Sequence, residues 1–335
     1  MLTPMDVIKQ KSDLYPPLQP YKSGMLDVGD GHQLYWEQSG NPYGTPVIFL
    51  HGGPGAGCNP TQRRFFDPLY YNITLFDQRG CGRSLPYASI ENNTTSHLIA
   101  DIEALRIYLK IDSWLMFGGS WGSTLALAYG IAYPRRCLGF VLRGIFLATV
   151  AELDWFLNGI ATIFPEAHRD LIEFLPKKEQ SDLASAYFKR LVHPDPKVHL
   201  PAAYSWSRYE AICSTLLPTS VSETPKPKRN ITPVNKEVGL AISRIETHYF
   251  INNMFIEENF ILNNLEKLAG LSAIIVQGRY DIICPAINAD RLACQWPNKG
   301  GEVKVNIINN AGHSAMEPGM LRALVQATDS LIGKI

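Results

Sequence analysis

The sequence predicts an α/β fold in which a mostly parallel β-sheet is flanked by helices and a block of helices is inserted late in the chain. Short apolar runs typical of buried strands alternate with helical segments as far as residue 147, and strands return after residue 255. Between these limits, residues 148–254 carry several helical patterns and few strand patterns. We therefore expect a core formed by 1–147 and 255–335, and a helical cap formed by 148–254.

The composition is that of an ordinary globular protein, with 46% hydrophobic and 19% charged residues among 335. Lys plus Arg and Asp plus Glu both number 31, so nothing indicates binding to nucleic acid or to an anionic membrane. No apolar run has the length of a membrane span, and we expect no signal peptide. The six cysteines have no CxxC spacing, which favours free thiols and a cytoplasmic protein.

The first strands lead into a glycine-rich loop. After an irregular, Pro-rich segment over residues 1–30, residues 32–38 alternate like an edge strand, and Pro46–Leu50 is typical of a buried strand. The buried strand runs into His51-Gly-Gly-Pro-Gly-Ala-Gly57. Glycines leave backbone N–H groups exposed and let a ligand approach closely, so this loop is a candidate binding element.

The next strand, Ile73–Phe76, leads into a polar loop over residues 77–84. In that loop we interpret Asp77 and Arg79 as structural residues that brace the neighbouring loops, rather than as catalytic ones. Residues 96–109 have helical spacing and end before the strand that follows.

The central motif is Gly118-Gly-Ser-Trp-Gly122, between the apolar run Trp114–Phe117 and the helical segment Ser123–Tyr129. Strand, G-x-S-x-G and helix together predict a nucleophile elbow, with Ser120 at the tip of a tight turn. The helix behind it directs N–H groups and a positive dipole end at the reacting centre. In hydrolases of this layout the oxyanion hole takes one N–H from the loop after an earlier strand and one from the residue after the nucleophile, which predicts Gly53 and Trp121.

The remaining elements complete the predicted fold. We expect strands at 139–144, 272–277 and 303–308, a helix at 183–188 within the cap, an exposed flexible loop at Pro218–Lys236, and a terminal helix at 320–332.

A serine hydroxyl needs a base, and the base needs a carboxylate that holds it in the right tautomer. In this fold the order along the chain is Ser, acid, His. Asp281 follows the strand at 272–277 and His313 follows the last strand, so we predict the triad Ser120, Asp281 and His313. No HExxH motif or clustered metal-ligand spacing is present, and we expect no metal and no other cofactor.

Taken together, the motifs resemble those of the proline iminopeptidases (prolyl aminopeptidases), serine peptidases of the α/β-hydrolase fold. The resemblance spans about residues 15–330. It is carried by an ordered set of motifs: His51-Gly-Gly-Pro-Gly55, Phe76-Asp-Gln-Arg-Gly80, Gly82-Arg-Ser84, Gly118-Gly-Ser-Trp-Gly-Ser-Thr-Leu125, Gly278-Arg-Tyr-Asp281 and Gly312-His-Ser-Ala315.

The resemblance implies an exopeptidase that releases N-terminal proline from peptides through a prolyl-enzyme intermediate. In this family two carboxylates of the cap bind the cationic imino group, and the matching positions here are Glu210 and Glu246. A cation in a half-dry pocket needs opposite charge beside it. The expected partners are therefore peptides with a free N-terminal proline. Without the resemblance, the spacing of both glutamates favours ordinary solvated helix residues.

The same resemblance implies an apolar slot for the proline ring. Phe146, Phe156 and Phe250 would line it, with Cys284 near its wall. On the residues alone, these aromatics are equally consistent with an ordinary core.

Three alternative functions compete with the peptidase. An esterase or amidase for small neutral acyl groups would use the same triad but would not need a free amine in its substrate. A non-catalytic binding protein of this fold is disfavoured by the intact Ser, Asp, His order. An epoxide hydrolase or dehalogenase is disfavoured because such enzymes place Asp at the position of Ser120. The sequence does not indicate the oligomeric state.

Overall fold

A computed structural model describes residues 13–217 and 238–335, so the loop predicted at Pro218–Lys236 lies outside the described residues. The strands are β1 (Lys22–Asp27), β2 (Gln33–Gly40), β3 (Thr45–Leu50), β4 (Tyr71–Phe76), β5 (Trp114–Ser120), β6 (Cys137–Ile145), β7 (Ser272–Gly278) and β8 (Glu302–Ile308). They form one sheet in the order β1-β2-β4-β3-β5-β6-β7-β8.

The sheet is mostly parallel, as predicted from the alternation of strands and helices. Only the β1–β2 and β2–β4 pairs are antiparallel, and the pairs from β4–β3 through to β7–β8 are parallel. Parallel strands need a crossover on a face of the sheet, and the helices provide it.

The helices are α1 (Thr95–Tyr108), α2 (Trp121–Ala132), α3 (Val150–Leu157), α4 (Pro165–Glu173), α5 (Leu183–Leu191), α6 (Pro196–Cys213), α7 (Val238–Ile251), α8 (Phe260–Asn263), α9 (Ala286–Gln295) and α10 (Pro318–Asp329). Within the described ranges, no helix combines the length and the apolar character that a membrane span requires.

Both faces of the sheet are buried. Side chains alternate along β3, so Ile48 and Leu50 join a large apolar cluster with α1, α2 and α9, whereas Val47 and Phe49 join a second cluster under α10. This two-sided burial explains why the central strands are continuous apolar runs.

One prediction about the N-terminal segment is wrong. Residues 22–27 form strand β1 within the segment interpreted as irregular, so β2 is the second strand of the sheet and not its edge. The sequence of β1 shows no apolar alternation because its side chains are largely exposed or half-buried. Its backbone pairs with β2, and Gly24 leaves room for the Trp36 ring that lies against it.

Helices α3 to α7 lie between β6 and β7, and no strand occurs in residues 148–217 or 238–254. The large apolar cluster continues from the sheet into these helices through residues such as Phe146, Phe156 and Trp206. The inserted helices therefore pack directly on the carboxyl end of the sheet, while the residue limits 148–254 of the cap stay a prediction.

Candidate active site

Ser120 stands at the junction of β5 and α2 with a backbone φ of 57° and ψ of −129°. A non-glycine residue with positive φ is strained, and such strain is typical of a nucleophile held at the tip of a tight turn. A side chain at Gly118 would collide with the Gly122 carbonyl, and one at Gly122 would collide with the Leu50 carbonyl. The two motif glycines are therefore required by close backbone approach.

Asp281 and His313 are brought together by the loops after β7 and β8. His313 Nδ1 lies 2.9 and 3.0 Å from the two Asp281 carboxylate oxygens. The Asp281 carboxylate also accepts hydrogen bonds from Cys284 N at 2.8 Å and Gln277 Nε2 at 3.2 Å. The buried carboxylate is thus held in one orientation by three donors.

The Nε2 atom of His313 is in contact with Arg143. Arg143 Nη1 lies 3.1 Å from Nε2 and donates to the His313 carbonyl at 2.8 Å. A guanidinium has no acceptor, so Nε2 is the acceptor and the ring proton lies on Nδ1. Ser120 Oγ makes no hydrogen bond to His313 among the described residues, and its polar neighbour is Cys284 Sγ at 4.0 Å.

Sequence reasoning missed Arg143. The signal was present, because Arg143 is the lone charged residue in the apolar strand β6. Charged side chains are rarely placed within a central strand unless they have partners.

The two predicted oxyanion donors belong to the glycine-rich loop and to the nucleophile elbow. The side chain of Gln78 bonds to both segments. Gly53 follows β3 with φ of +107°, and Trp121 begins α2. Gln78 accepts from the Trp121 indole N–H at 3.0 Å and donates to the His51 carbonyl at 2.9 Å. Gln78 N also donates to His51 Nε2 at 3.0 Å. The glycine loop and the nucleophile elbow are thereby tied together, although nothing in the sequence marked Gln78.

The polar loop after β4 agrees with a bracing role for its charged residues. Asp77 accepts from Cys58 N at 2.7 Å and forms an ion pair with Arg83 at 2.7 Å. Arg79 forms a buried ion pair with Asp101 at 2.7 Å. These bonds hold the loop in place, and neither Asp77 nor Arg79 lines the pocket described next.

A pocket with about 350 Å³ of empty space, part of it open to solvent, begins at Ser120 between the sheet and the cap. It is lined by Gly53, Ser120, Phe146, Glu152, Leu153, Phe156, Glu210, Glu246, Phe250, Ile283 and Cys284. All six residues predicted for substrate binding are in this set. Glu152, Leu153 and Ile283 were not predicted.

The aromatic wall of the pocket is packed from behind. The Phe156 ring lies edge-on to Phe250 at 5.3 Å and to Tyr209 at 5.4 Å. The Tyr209 hydroxyl donates to the Phe156 carbonyl at 2.7 Å. Phe156 is therefore held in one place by both ring packing and its own backbone.

Three carboxylates line the pocket, and they differ in the number of hydrogen bonds that they accept. Glu152 accepts from the backbone N–H groups of Leu147 and Thr149 at 2.9 Å and from Asn288 Nδ2 at 2.6 Å. It is the third residue of α3 and forms a capping box with Thr149, so the T-x-x-E pattern could have identified it. We conclude that Glu152 holds the start of α3 against α9 and against the segment that follows β6.

The other two carboxylates, those of Glu246 and Glu210, accept few hydrogen bonds. Glu246 is 3% exposed and accepts one hydrogen bond, from Trp206 Nε1 at 2.5 Å. The Glu210 carboxylate accepts none from the described residues. Burial raises the pKa of Glu210 to about 7. Burial, together with the nearby Glu210 charge, raises the pKa of Glu246 well above its usual range.

No basic side chain is among the described residues that line this pocket. Glu246 is buried and Glu210 half-buried. Two such carboxylates without a cation are costly, and a bound cation would relieve that cost. The pocket therefore combines a strained serine, an apolar wall and a site suited to a positively charged group.

Comparison with known proteins supports the same class of molecule. Residues 45–319 match a family model described as the alpha/beta hydrolase fold. A proline iminopeptidase of Arabidopsis thaliana is 47% identical, over 96% of this chain and 82% of its own length. One from Xylella fastidiosa (strain Temecula1) is 47% identical over 95% and 99%. One from Neisseria gonorrhoeae is 43% identical over 96% and 100%.

Solved structures share the fold at much lower identity. An alpha/beta fold family hydrolase from Bacillus anthracis has a TM-score of 0.60 at 18% identity, over 92% of this chain and all of its own. A proline iminopeptidase from Mycobacterium smegmatis has a TM-score of 0.58 at 16% identity, over 92% and 98%. At these identities the likeness concerns the fold alone.

Proposed function

The chain belongs to the proline iminopeptidase family of the α/β-hydrolase fold, and from this premise we propose that Ser120, His313 and Asp281 form its catalytic triad. It is a prolyl aminopeptidase, which releases proline from the N-terminus of peptides. The observation that supports the site assignment best is the pocket that Ser120 shares with two carboxylates, which no cation among the described residues pairs.

In the proposed reaction, Ser120 Oγ attacks the carbonyl carbon of the proline residue and His313 Nε2 takes the hydroxyl proton. Asp281 holds the Nδ1–H tautomer and stabilises the imidazolium. The proton is then given to the leaving amine, and water hydrolyses the prolyl-enzyme. Because Nε2 faces Arg143 in the substrate-free structure, its hydrogen bond to Ser120 forms when substrate binds.

We assign the oxyanion hole to the backbone N–H groups of Gly53 and Trp121. Donors of this kind contribute about 3–4 kcal/mol each in other serine hydrolases because they face the charge that develops in the transition state. The positive end of α2, directly behind Ser120, adds to the same effect.

Glu210 and Glu246 hold the imino cation of the substrate, and Phe146, Phe156, Phe250 and Cys284 surround its ring. An N-acylated proline brings no cation, so both carboxylates would stay buried and unpaired in its complex. The pair of glutamates thus explains why such an enzyme acts only at free N-termini.

The catalytic core then corresponds to 1–147 and 255–335, and the cap, 148–254, recognises the substrate N-terminus. This division is supported by the positions of the proposed residues. Ser120 ends strand β5, and Asp281 and His313 follow β7 and β8, whereas Glu210 and Glu246 lie on α6 and α7.

We also propose that the protein acts in the cytoplasm. All six cysteines are unpaired thiols, including the exposed Cys294, and thiols persist in a reducing compartment. Fractionation of cells of the source organism, followed by immunodetection, tests this location.

The function is tested by release of fluorophore from prolyl-aminomethylcoumarin, beside its N-acetylated form, with wild type and Ser120→Ala. We expect fast cleavage of the free-amine substrate alone, and a loss of about 10⁴-fold or more in the variant. Equal cleavage of both substrates would contradict the role given to the two glutamates. Hydrolysis of p-nitrophenyl esters without cleavage of either prolyl substrate would favour the esterase.

A further inference from the structure

The C-terminal end of cap helix α6 lies directly against the loop that carries His313. The carbonyl oxygen of Ser214, the residue after the helix, accepts hydrogen bonds from His313 N at 3.1 Å and Ser314 N at 2.8 Å. Ser214 also donates through its hydroxyl to the Glu210 carbonyl at 2.8 Å. A short chain of hydrogen bonds therefore joins the turn of α6 that carries Glu210 to the backbone of His313.

The side chain of Glu317 bonds to both partners of this contact, the end of α6 and the loop of His313. Glu317 precedes α10, and its Oε1 accepts from Leu216 N at 2.7 Å while its Oε2 accepts from Gly312 N at 2.5 Å. Leu216 follows α6 and Gly312 precedes His313. A single carboxylate thus bridges the end of the cap helix and the loop of the general base, and it is outside the set of residues that line the pocket.

The end of α6 and the Gly312–His313 loop lie so close together that no side chain fits between them at Gly312. A Cβ atom at Gly312 would lie 2.9 Å from Leu216 N and 3.3 Å from the carbonyl carbon of Thr215. Contacts that close require a backbone shift, so this position accepts only glycine. The cap helix and the loop are consequently in direct backbone contact at this point.

We propose that Glu317 is a positioning residue: by holding the end of α6 against the Gly312–His313 loop, it fixes the position of the general base, and with it the distance from the base to Glu210 on α6. The proposal rests on the roles given above to Glu210 and His313. A peptide bound at Glu210 then places its carbonyl correctly for His313, because both groups belong to one hydrogen-bonded unit. Misplacement of a reacting group by about 1 Å can lower a rate by 10²-fold.

A purely structural role for Glu317 makes a different prediction. It would lower the melting temperature of the protein and leave the kinetic constants of the folded fraction unchanged. A positioning role lowers kcat in fully folded enzyme, and KM changes little because the pocket itself is intact.

The experiment compares wild type, Glu317→Gln and Glu317→Ala, each checked by thermal melting and by titration of active Ser120 with a fluorophosphonate. Two substrates are used, prolyl p-nitroanilide and p-nitrophenyl acetate. We expect kcat for both to fall by about 10²-fold in Glu317→Ala, with a smaller loss in Glu317→Gln, whose amide oxygen can still accept from one of the two N–H groups.

Arg322→Ala is the matched control, because Arg322 lies on α10 but pairs with Asp13 at the surface. Its kinetic constants should stay within about twofold of wild type. A Glu317→Ala enzyme that is folded and retains wild-type kcat would overturn the proposal, as would a loss expressed only in KM. If Glu317→Ala does not fold, the same criteria are applied to Glu317→Gln.

The ester separates this proposal from the proposed function. If wild type hydrolyses p-nitrophenyl acetate but not prolyl p-nitroanilide, the peptidase assignment fails while the Glu317 variants still test the position of the base. If wild type hydrolyses neither substrate, the assignment of the triad fails and the role of Glu317 fails with it.

Discussion

Arg143 Nη1 lies 3.1 Å from His313 Nε2 and donates a 2.8 Å hydrogen bond to the carbonyl oxygen of the same residue. The guanidinium lies against Gly119, where a side chain would collide with it. A half-buried cation thus contacts the nitrogen that the base must present to Ser120. In the substrate-free enzyme the base is held in the correct tautomer, with no hydrogen bond to Ser120 among the described residues.

The Arg143→Gln variant should lower kcat for prolyl p-nitroanilide by about 10–100-fold, because the His313 loop loses a charge-assisted anchor on its carbonyl. The measurement is kcat for both enzymes. An unchanged kcat would show that Arg143 does not act on His313.

Glu246→Gln and Glu210→Gln should each lower kcat/KM for prolyl-aminomethylcoumarin by about 30–5,000-fold. This range corresponds to the 2–5 kcal/mol lost when one partner of a desolvated charge pair is removed. The preference for the free amine over the N-acetylated substrate should shrink in parallel. Glu302→Gln, on the exposed face of β8, is the matched control and should change neither quantity. Retention of the wild-type preference in both variants would assign the cation to other groups.

The same two carboxylates should make the protein less stable as pH rises. Burial raises the pKa of both in the folded state, so the folded protein binds more protons than the unfolded chain above pH 4.5. Stability then falls as pH rises through this window, from about 4.5 to beyond 7. Glu246→Gln removes part of this cost and keeps an acceptor for Trp206. It should stabilise the enzyme at pH 8, because the variant has no carboxyl group to ionise at that buried position.

Thermal or urea unfolding at pH 4.5 and pH 8 measures this effect. The stability difference between Glu246→Gln and wild type should be small at pH 4.5 and larger at pH 8. A difference of the opposite sign, or one that does not depend on pH, would mean that Glu246 is not a buried carboxyl with a raised pKa.

Gln78→Met should weaken the oxyanion hole without changing the pocket. The substitution keeps the length of the side chain but removes its bonds to Trp121 and to the His51 carbonyl. We expect kcat/KM to fall by about 10–100-fold, and affinity for the aldehyde analogue of proline to fall by a similar factor. Affinity for proline itself should change much less.

Gln180→Met is the control for the Gln78 experiment, because Gln180 donates to backbone carbonyls within the cap and far along the chain from the elbow. If Gln78→Met weakens binding of proline and of the aldehyde equally, Gln78 supports the pocket rather than the oxyanion hole.

Local patterns were sufficient wherever one segment determines its own conformation. The apolar run from Trp114 predicts a strand, and the G-x-S-x-G pattern followed by a helical segment predicts a tight turn at Ser120. The order of Asp281 and His313 after late strands predicted which residues would meet, because parallel strands bring their carboxyl ends to one edge of the sheet. The positions of Glu210 and Glu246 came from the family resemblance and not from spacing.

Local patterns failed where a residue acts through a partner far along the chain. Strand β1 has no amphipathic pattern because its stability comes from pairing with β2. Gln78 looked like one more polar residue in a loop, and Glu317 like an ordinary residue before a helix. Their partners, at residues 51, 121, 216 and 312, are separated from them in sequence and meet them only in the folded chain.

By itself, then, the sequence determined the type of sheet, the tight turn at Ser120 and the candidates for acid and base, because these follow from side-chain periodicity, steric limits on the backbone and chain order. Only the tertiary structure decided that Nε2 of His313 contacts Arg143, that two carboxylates share a pocket lined by no cation among the described residues, and that Glu317 joins the end of α6 to the loop of His313. Hydrogen bonds and burial between distant segments depend on the position of the whole backbone, and no local pattern encodes that position.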